Sequence, residues 1–209
     1  MTEHYFSAEP SSSARETEID VDAWGRSMRL TTVSGVFAHG RLDIGTAVLF
    51  RQAEPPMEGD RFLDLGCGYG VIACALALAR PEARVWAVDV NERALDVTQR
   101  NAGRLGVADR TTVALPDDVP ESERFDGVWS NPPIRIGKTA VHELLLRWLP
   151  RLTPSGSATL VVGKNLGADS LQRWLREQGY GCDRLGSAKG FRVLRVAPPM
   201  QRNGPDRRQ

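Results

Sequence analysis

An apolar strand, three alternating glycines and an apolar helix follow one another between residues 61 and 79. They read Arg61-Phe62-Leu63-Asp64-Leu65, then Gly66-Cys67-Gly68-Tyr69-Gly70, then Val71-Ile72-Ala73-Cys74-Ala75-Leu76-Ala77-Leu78-Ala79. Glycine lets the main chain come close to a ligand, and a helix starting there brings its free N–H groups to the same place. The segment therefore predicts a strand, a ligand-holding turn and a helix. The spacing Gly66-x-Gly68-x-Gly70 matches the dinucleotide fingerprint G-x-G-x-x-G imperfectly. Asp64, two positions before the first glycine, suits the ammonium end of a ligand that carries an amino acid and does not suit a pyrophosphate.

A second strand, Arg84-Val85-Trp86-Ala87-Val88, ends in Asp89, nineteen residues after Gly70. A carboxylate at that point can accept from both hydroxyls of a ribose, which implies an unphosphorylated adenosine. A further apolar run, Phe125 to Ser130, ends in Asn131-Pro132-Pro133-Ile134. Proline supplies no backbone donor and pushes its predecessor out of the helical region, so the strand must stop there in a rigid elbow. Such an elbow fixes the Asn131 side-chain oxygen and the Pro132 carbonyl as a pair of acceptors. Their natural partner is a planar amino group, whose delocalised lone pair returns to nitrogen when two acceptors pull on its hydrogens. On its own, Asn-Pro-Pro is a turn; here it stands downstream of a glycine loop and an acid-tipped strand.

With these residues in place the chain resembles the class I S-adenosylmethionine-dependent methyltransferases. LDLGCGYG corresponds to their methionine-side loop, VDVN to their ribose-binding strand end and NPPI to their motif for amino-group acceptors. GVFAHGRLDIGTAVLF, SNPPIRIGK, VVGKNLGADSL and KGFRVLRV narrow the resemblance to the small-domain branch that contains ribosomal RNA guanine-N2 methyltransferases, across nearly all of residues 34 to 197. The resemblance implies S-adenosylmethionine as cofactor, held by Asp64, Gly66, Cys67, Gly68, Asp89, Val90, Asp117 and Asn131, with Asp117 favoured over Asp118 for the adenine amino group. It implies Asn131 and Pro132 as catalytic residues. Substrate would meet Pro133, Ile134, Arg135 and Lys138, and also Phe37, Lys189 and Phe191. Many relatives carry an aromatic residue after the two prolines, to stack on the flipped base, where this chain has Ile134. Stacking on a base contributes about 1 to 3 kcal/mol, so Phe37 and Phe191 are the candidates to replace it.

The apolar segments alternate between strand and helix from residue 61 to 178, which predicts an α/β fold. The expected form is a doubly wound, mostly parallel seven-stranded sheet with helices on both faces and an antiparallel C-terminal hairpin, the Rossmann-like methyltransferase fold. Short strands are expected at 18–22 and 26–32, one or two helical turns at 46–51, and core strands at 61–65, 84–89, 111–115, 125–130 and 157–162. Helices are expected at 70–80, 92–105, 141–149 and 168–178, and the hairpin at 182–187 with 190–197. In domain terms, residues 1–50 form a partly disordered lead-in packed on the core, 51–197 the methyltransferase domain and 198–209 a disordered tail.

At 209 residues and 41% hydrophobic, the chain can bury one substantial core. No segment approaches the 18 or more apolar residues of a membrane span, and the acidic N-terminus lacks the basic start of a signal peptide. A cytoplasmic protein, monomeric or weakly dimeric, is expected. Cys67, Cys74 and Cys182 lack metal-ligand spacing and their odd number argues against a disulfide framework, so no metal is expected and the thiols are read as reduced and buried. His4, His39 and His142 are scattered.

A formal net charge of +1 announces no global field for nucleic acid. Arg135, Lys138, Lys164, Lys189 and Arg192 nevertheless gather in the sequence around the predicted mouth, where phosphate contacts would steer RNA without reading it. The expected function is methyl transfer to the exocyclic amino nitrogen of a guanine in small-subunit ribosomal RNA, with the RNA or the small ribosomal subunit as partner. Two alternatives are carried: methylation of a glutamine side chain in a protein or of another base amino group, and a non-catalytic S-adenosylmethionine-binding assembly factor. An oxidoreductase using the same glycine turn is disfavoured by the spacing and by Asp64.

Overall fold

A computed structural model describes residues 15–132 and 137–199. The chain opens with a hairpin, β1 (Glu16–Ala23) and β2 (Arg26–Val33), paired antiparallel as a separate two-stranded sheet. Helix α1 (Ile44–Gln52) leads into the core. The core then runs β3 (Arg61–Leu65), α2 (Val71–Ala79), β4 (Arg84–Val88), α3 (Glu92–Arg104), β5 (Thr111–Ala114), β6 (Phe125–Ser130), α4 (Lys138–Trp148) and β7 (Leu152–Gly163). Helix α5 (Ala168–Glu177) and the hairpin β8 (Gly181–Ala188) with β9 (Phe191–Ala197) complete it.

Seven strands form one sheet in the order β5-β4-β3-β6-β7-β9-β8, parallel from β5 to β7 and antiparallel at β9 and β8. The expected fold class is the observed one. Alternation along each strand sorts the side chains into two cores, since successive residues point to opposite faces. Phe62, Val85, Ala87, Trp129, Val161 and Val193 face α1, α2, α3 and the first hairpin. Leu63, Leu65, Val88, Val128, Leu160, Val162 and Leu194 face α4 and α5. The chain winds outward from β3 through β4 to β5 and then returns to place β6 on the other side of β3. A sheet wound this way opens a crevice at the carboxyl ends of β3 and β6, where ligands bind in such folds.

Several boundaries differ from the sequence expectation for local reasons. Strand β7 begins five residues early, at Leu152, because Leu152 pairs with Phe125 before a register shift carries the ladder to Gly127 and Ser157. Gly156 sits at that irregularity, where a Cβ would lie 2.8 Å from the Phe125 carbonyl oxygen. Helix α4 begins at Lys138, directly after Gly137 at φ 100°, with a polar first turn that gives no apolar signal. Helix α1 spans nine residues, starting after an Asp43 cap whose carboxylate accepts from Thr46 N.

Candidate active site

The glycine turn is pinned to the end of β4. Gly66 N and Cys67 N both donate to the Val88 carbonyl, at 2.8 and 3.0 Å, and Gly68 N donates to Asp89 Oδ2 at 2.9 Å. The other carboxylate oxygen of Asp89 accepts from Asn91 N at 3.0 Å. Burial pushes the Asp89 pKa up, and the N–H groups of Gly68, Asn91 and Val90 pull it back down. A carboxylate accepts up to about four hydrogen bonds, so Asp89 is oriented by the loop and retains capacity for further donors.

Gly70 and Gly68 do different things. Gly70 starts α2 at φ 80°, and a Cβ there would fall 2.6 Å from Thr98 Cγ2, so packing alone demands glycine. Gly68, at φ 57°, meets nothing closer than Phe37 Cβ at 3.8 Å. Its surroundings leave room that a ligand can use.

Asp64 is fully buried. Its Oδ2 accepts from Ala73 N at 2.9 Å, while Oδ1 is buried with no partner among the described residues. Burial, the largest cause, raises its pKa from 3.8 to about 8. The Tyr69 hydroxyl is also buried without a partner there, and burial together with the nearby charges of Asp43 and Asp64 raises its pKa above the usual tyrosine range. An acid and a hydroxyl left unsatisfied beside a glycine cradle suit the amino-acid end of the S-adenosylmethionine expected from the sequence, and Asp89 suits its ribose.

Asn131 ends β6 at the same edge of the sheet. Its Nδ2 donates to Asp43 Oδ2 at 2.7 Å and to Thr46 Oγ1 at 3.1 Å. A carboxylate only accepts, so this contact fixes which way the amide faces. Both Nδ2 hydrogens are occupied, and the carbonyl oxygen keeps its acceptor capacity. Pro132 follows, buried. Pro133, Ile134 and Arg135 lie outside the described residues. Sequence reasoning missed Asp43 and Thr46. The Asp43-x-x-Thr46 spacing carries a helix-cap signal, but no local signal announces the second bond to a residue 88 positions on.

Phe191 reaches the same corner. A Cβ on Gly45 would lie 3.0 Å from the Phe191 ring and 2.9 Å from Asp43 Oδ2. Phe37, by contrast, lies beside the glycine loop and is 39% exposed. Lys189 sits at the tip of the β8–β9 hairpin, exposed, and Lys164 N bonds the Gly190 carbonyl at 2.7 Å next to it. Lys138 is exposed at the first turn of α4. Arg192 pairs with Asp169. Val90 is half-exposed directly after Asp89. Asp117 projects into solvent beyond β5 and pairs with Arg147 Nη2 at 2.7 Å, so its carboxylate already has a partner on α4.

Cys67 is buried with Sγ 3.6 Å from Thr98 Oγ1, and burial holds its pKa well above the usual thiol value. His39 Nε2 lies 3.3 Å from Thr17 Oγ1 on the first hairpin. Among the described residues no group of histidines, cysteines or carboxylates is arranged to hold a metal, and no helix is long and apolar enough to cross a membrane.

The family model of the methyltransferase small domain matches residues 27–195. The uncharacterized protein YbxB of Bacillus subtilis is 30% identical over 198 residues, covering 94% of this chain and 98% of its own length. The ribosomal RNA small subunit methyltransferase C of Hahella chejuensis is 40% identical over 144 residues, covering 66% of this chain and 41% of its own. The chain spans about half the length of the curated ribosomal RNA methyltransferases it matches. Among solved structures, the T. thermophilus 16S rRNA N2 guanine methyltransferase in complex with AdoMet and guanosine superposes with a TM-score of 0.76 at 23% identity, over 91% of this chain and 52% of that one. The ribosomal protein L11 methylase of Lactobacillus delbrueckii superposes with a TM-score of 0.60 at 18% identity, over 74% of this chain and 76% of that one.

Proposed function

This chain belongs to the methyltransferase small domain family, and we propose that it transfers a methyl group from S-adenosylmethionine to the exocyclic amino nitrogen of a guanine in small-subunit ribosomal RNA. The observation that carries this reading is the Asn131 amide. With Nδ2 held by Asp43 and Thr46, its carbonyl oxygen is presented as an acceptor at the carboxyl end of β6, one strand from the glycine turn of β3. In this reading the amide holds the amine and the neighbouring glycine turn cradles the methyl donor.

In this reading Asp89 accepts from the ribose hydroxyls, Asp64 Oδ1 meets the ammonium of the methionine end, and Gly68 lets the cofactor pass close to the main chain. Bound there, the cofactor supplies a methyl group on a sulfonium that is its own leaving group. Asn131 Oδ1 and the Pro132 carbonyl accept the two amine hydrogens, which returns the lone pair to nitrogen and aims it. Holding nucleophile and electrophile in line supplies about 7 to 11 kcal/mol of the barrier. The amine proton leaves after transfer, so no general base is required among these residues. Phe191, against the first turn of α1, or Phe37, beside the glycine loop, stacks on the base, and Lys189, Lys164 and Lys138 contact phosphates. Ribosomal RNA or the small subunit is then the partner and the cytoplasm the place of action. The names of the curated relatives and the guanosine in the T. thermophilus complex favour the same substrate class.

The test is tritiated methyl transfer from S-adenosylmethionine to total RNA, isolated small subunits and whole-cell protein from a strain lacking this gene, followed by nuclease digestion. N2-methylguanosine in small-subunit RNA is expected. Label in protein alone would move the amine to a glutamine side chain, and cofactor binding without any label would make the protein a non-catalytic factor.

A further inference from the structure

We propose that Asp43 is the positioning residue for the amine acceptor, holding the Asn131 amide in the one orientation that presents oxygen to the substrate. The inference rests on the methyl-transfer reading above. An asparagine amide has two faces of opposite hydrogen-bonding sense, and a half-turn about its last bond exchanges them. The flipped form would point an NH2 at a substrate NH2, donor against donor. Asp43 makes the flipped form costly, because its carboxylate at 2.7 Å would then face a carbonyl oxygen. Thr46 takes the second Nδ2 hydrogen at 3.1 Å.

Asp43 is itself well held. Its Oδ2 also accepts from Thr46 N at 3.1 Å as the cap of α1. The space beside it is tight: a Cβ on Gly45 would meet Oδ2 at 2.9 Å and the Phe191 ring at 3.0 Å. The Thr46 N–H and the close approach of Gly45 thus hold the carboxylate that holds the amide. The negative charge also polarises the amide, since linked hydrogen bonds strengthen one another, and this makes Oδ1 a better acceptor for the amine hydrogens.

The experiment exchanges the two partners. Asn131→Asp sets two carboxylates face to face and is expected to lower kcat by about 100-fold or more, the scale seen when one oriented hydrogen-bonding group is lost from a site. Adding Asp43→Asn restores a donor facing an acceptor, with roles reversed, and is expected to return at least about ten-fold of that loss, as contacting residues couple. Asp43→Ser keeps a cap for α1 but is too short to reach the amide. It is expected to lower kcat on small-subunit particles while S-adenosylmethionine binding, read by calorimetry, stays within a few-fold. A double variant no more active than Asn131→Asp alone, or an Asp43→Ser variant with wild-type kcat, would overturn the positioning role. The wild type is the control that separates the two readings. If it transfers methyl to no RNA, the proposed function fails; if it transfers and the exchange recovers nothing, only the role of Asp43 fails.

Discussion

Asn101, on α3, exchanges two hydrogen bonds with Thr31, on β2: its Oδ1 accepts from Thr31 N at 2.8 Å and its Nδ2 donates to the Thr31 carbonyl at 2.9 Å. The second Nδ2 hydrogen goes to the Tyr69 carbonyl in the glycine turn, also at 2.9 Å. One buried amide therefore ties the first hairpin, α3 and the glycine turn together.

Replacing Asn101 by Leu removes all three bonds and leaves the Thr31 N–H and two carbonyls buried without partners. Each unsatisfied group costs about 1 to 3 kcal/mol, so a loss of roughly 3 kcal/mol or more in denaturant unfolding is expected. Hydrogen exchange should rise on both β2 and the turn at 66–70. Protection lost in only one of them would mean that the amide does not couple the two.

Asp64 predicts a pH dependence whose direction can be worked out. Its carboxyl titrates near 8 in the folded protein against 3.8 unexposed to burial. Between those values the folded state holds a proton that the unfolded chain does not, so this group's contribution to stability is complete below pH 3.8 and is lost as pH rises through about 8. The slope it imposes is up to about 1.4 kcal/mol per pH unit. An Asp64→Asn variant should lose less stability than wild type between pH 5 and 8. A ligand ammonium at Oδ1 favours the charged form, so S-adenosylmethionine binding at pH 7 should release up to one proton. Calorimetry in buffers of different ionisation enthalpy measures it, and Asp64→Asn should release none from this site.

Gly68 and Gly70 separate folding from ligand binding. Gly70→Ala places a methyl 2.6 Å from Thr98 Cγ2 at φ 80°, combining a clash with a left-handed backbone. It should cost more than the roughly 1 to 2 kcal/mol of the conformation alone. Gly68→Ala bears only the conformational cost, because its nearest neighbour is 3.8 Å away. It should fold with a modest loss of Tm yet bind S-adenosylmethionine at least about ten-fold more weakly, since a Cβ there would occupy the ligand's path. Equal affinity in wild type and Gly68→Ala would remove Gly68 from the cradle.

The continuous apolar runs and the glycine punctuation made the sheet and its helices legible, because burial on both faces leaves a local imprint on residues such as Val85 and Leu160. Lys138 to Ala140 left no such imprint, so the start of α4 was hidden, and the early entry of β7 depends on a pairing with Phe125 that no local pattern encodes. The same limit applies at the site. The glycines and Asp89 announce themselves by spacing, whereas the bonds from Asn131 to Asp43 and Thr46 span 88 and 85 positions and exist only once β6 and α1 meet. The Asp117 carboxylate, which the resemblance assigns to the adenine amino group, also pairs with Arg147 on α4, a contact 30 positions away that no local pattern encodes.

The hairpin tip gives a prediction about substrate. Lys189 and Gly190 both take positive φ, 46° and 80°, the backbone of a tight two-residue turn that matches strand twist. The ladder pairs Phe191 with Gly163, and β7 runs parallel to β6, so the tip stands at the sheet edge that carries Asn131. In the proposed reading, this exposed cation on a stiff turn at the Asn131 edge of the sheet meets a backbone phosphate. Such a contact adds affinity without reading sequence and weakens as salt rises. Lys189→Glu is therefore expected to raise KM for small-subunit RNA by about ten-fold and to reduce the slope of log affinity against log salt by about one, with S-adenosylmethionine affinity unchanged. A salt slope equal to that of wild type would place the RNA backbone away from this hairpin and leave Lys164 and Lys138 to hold it.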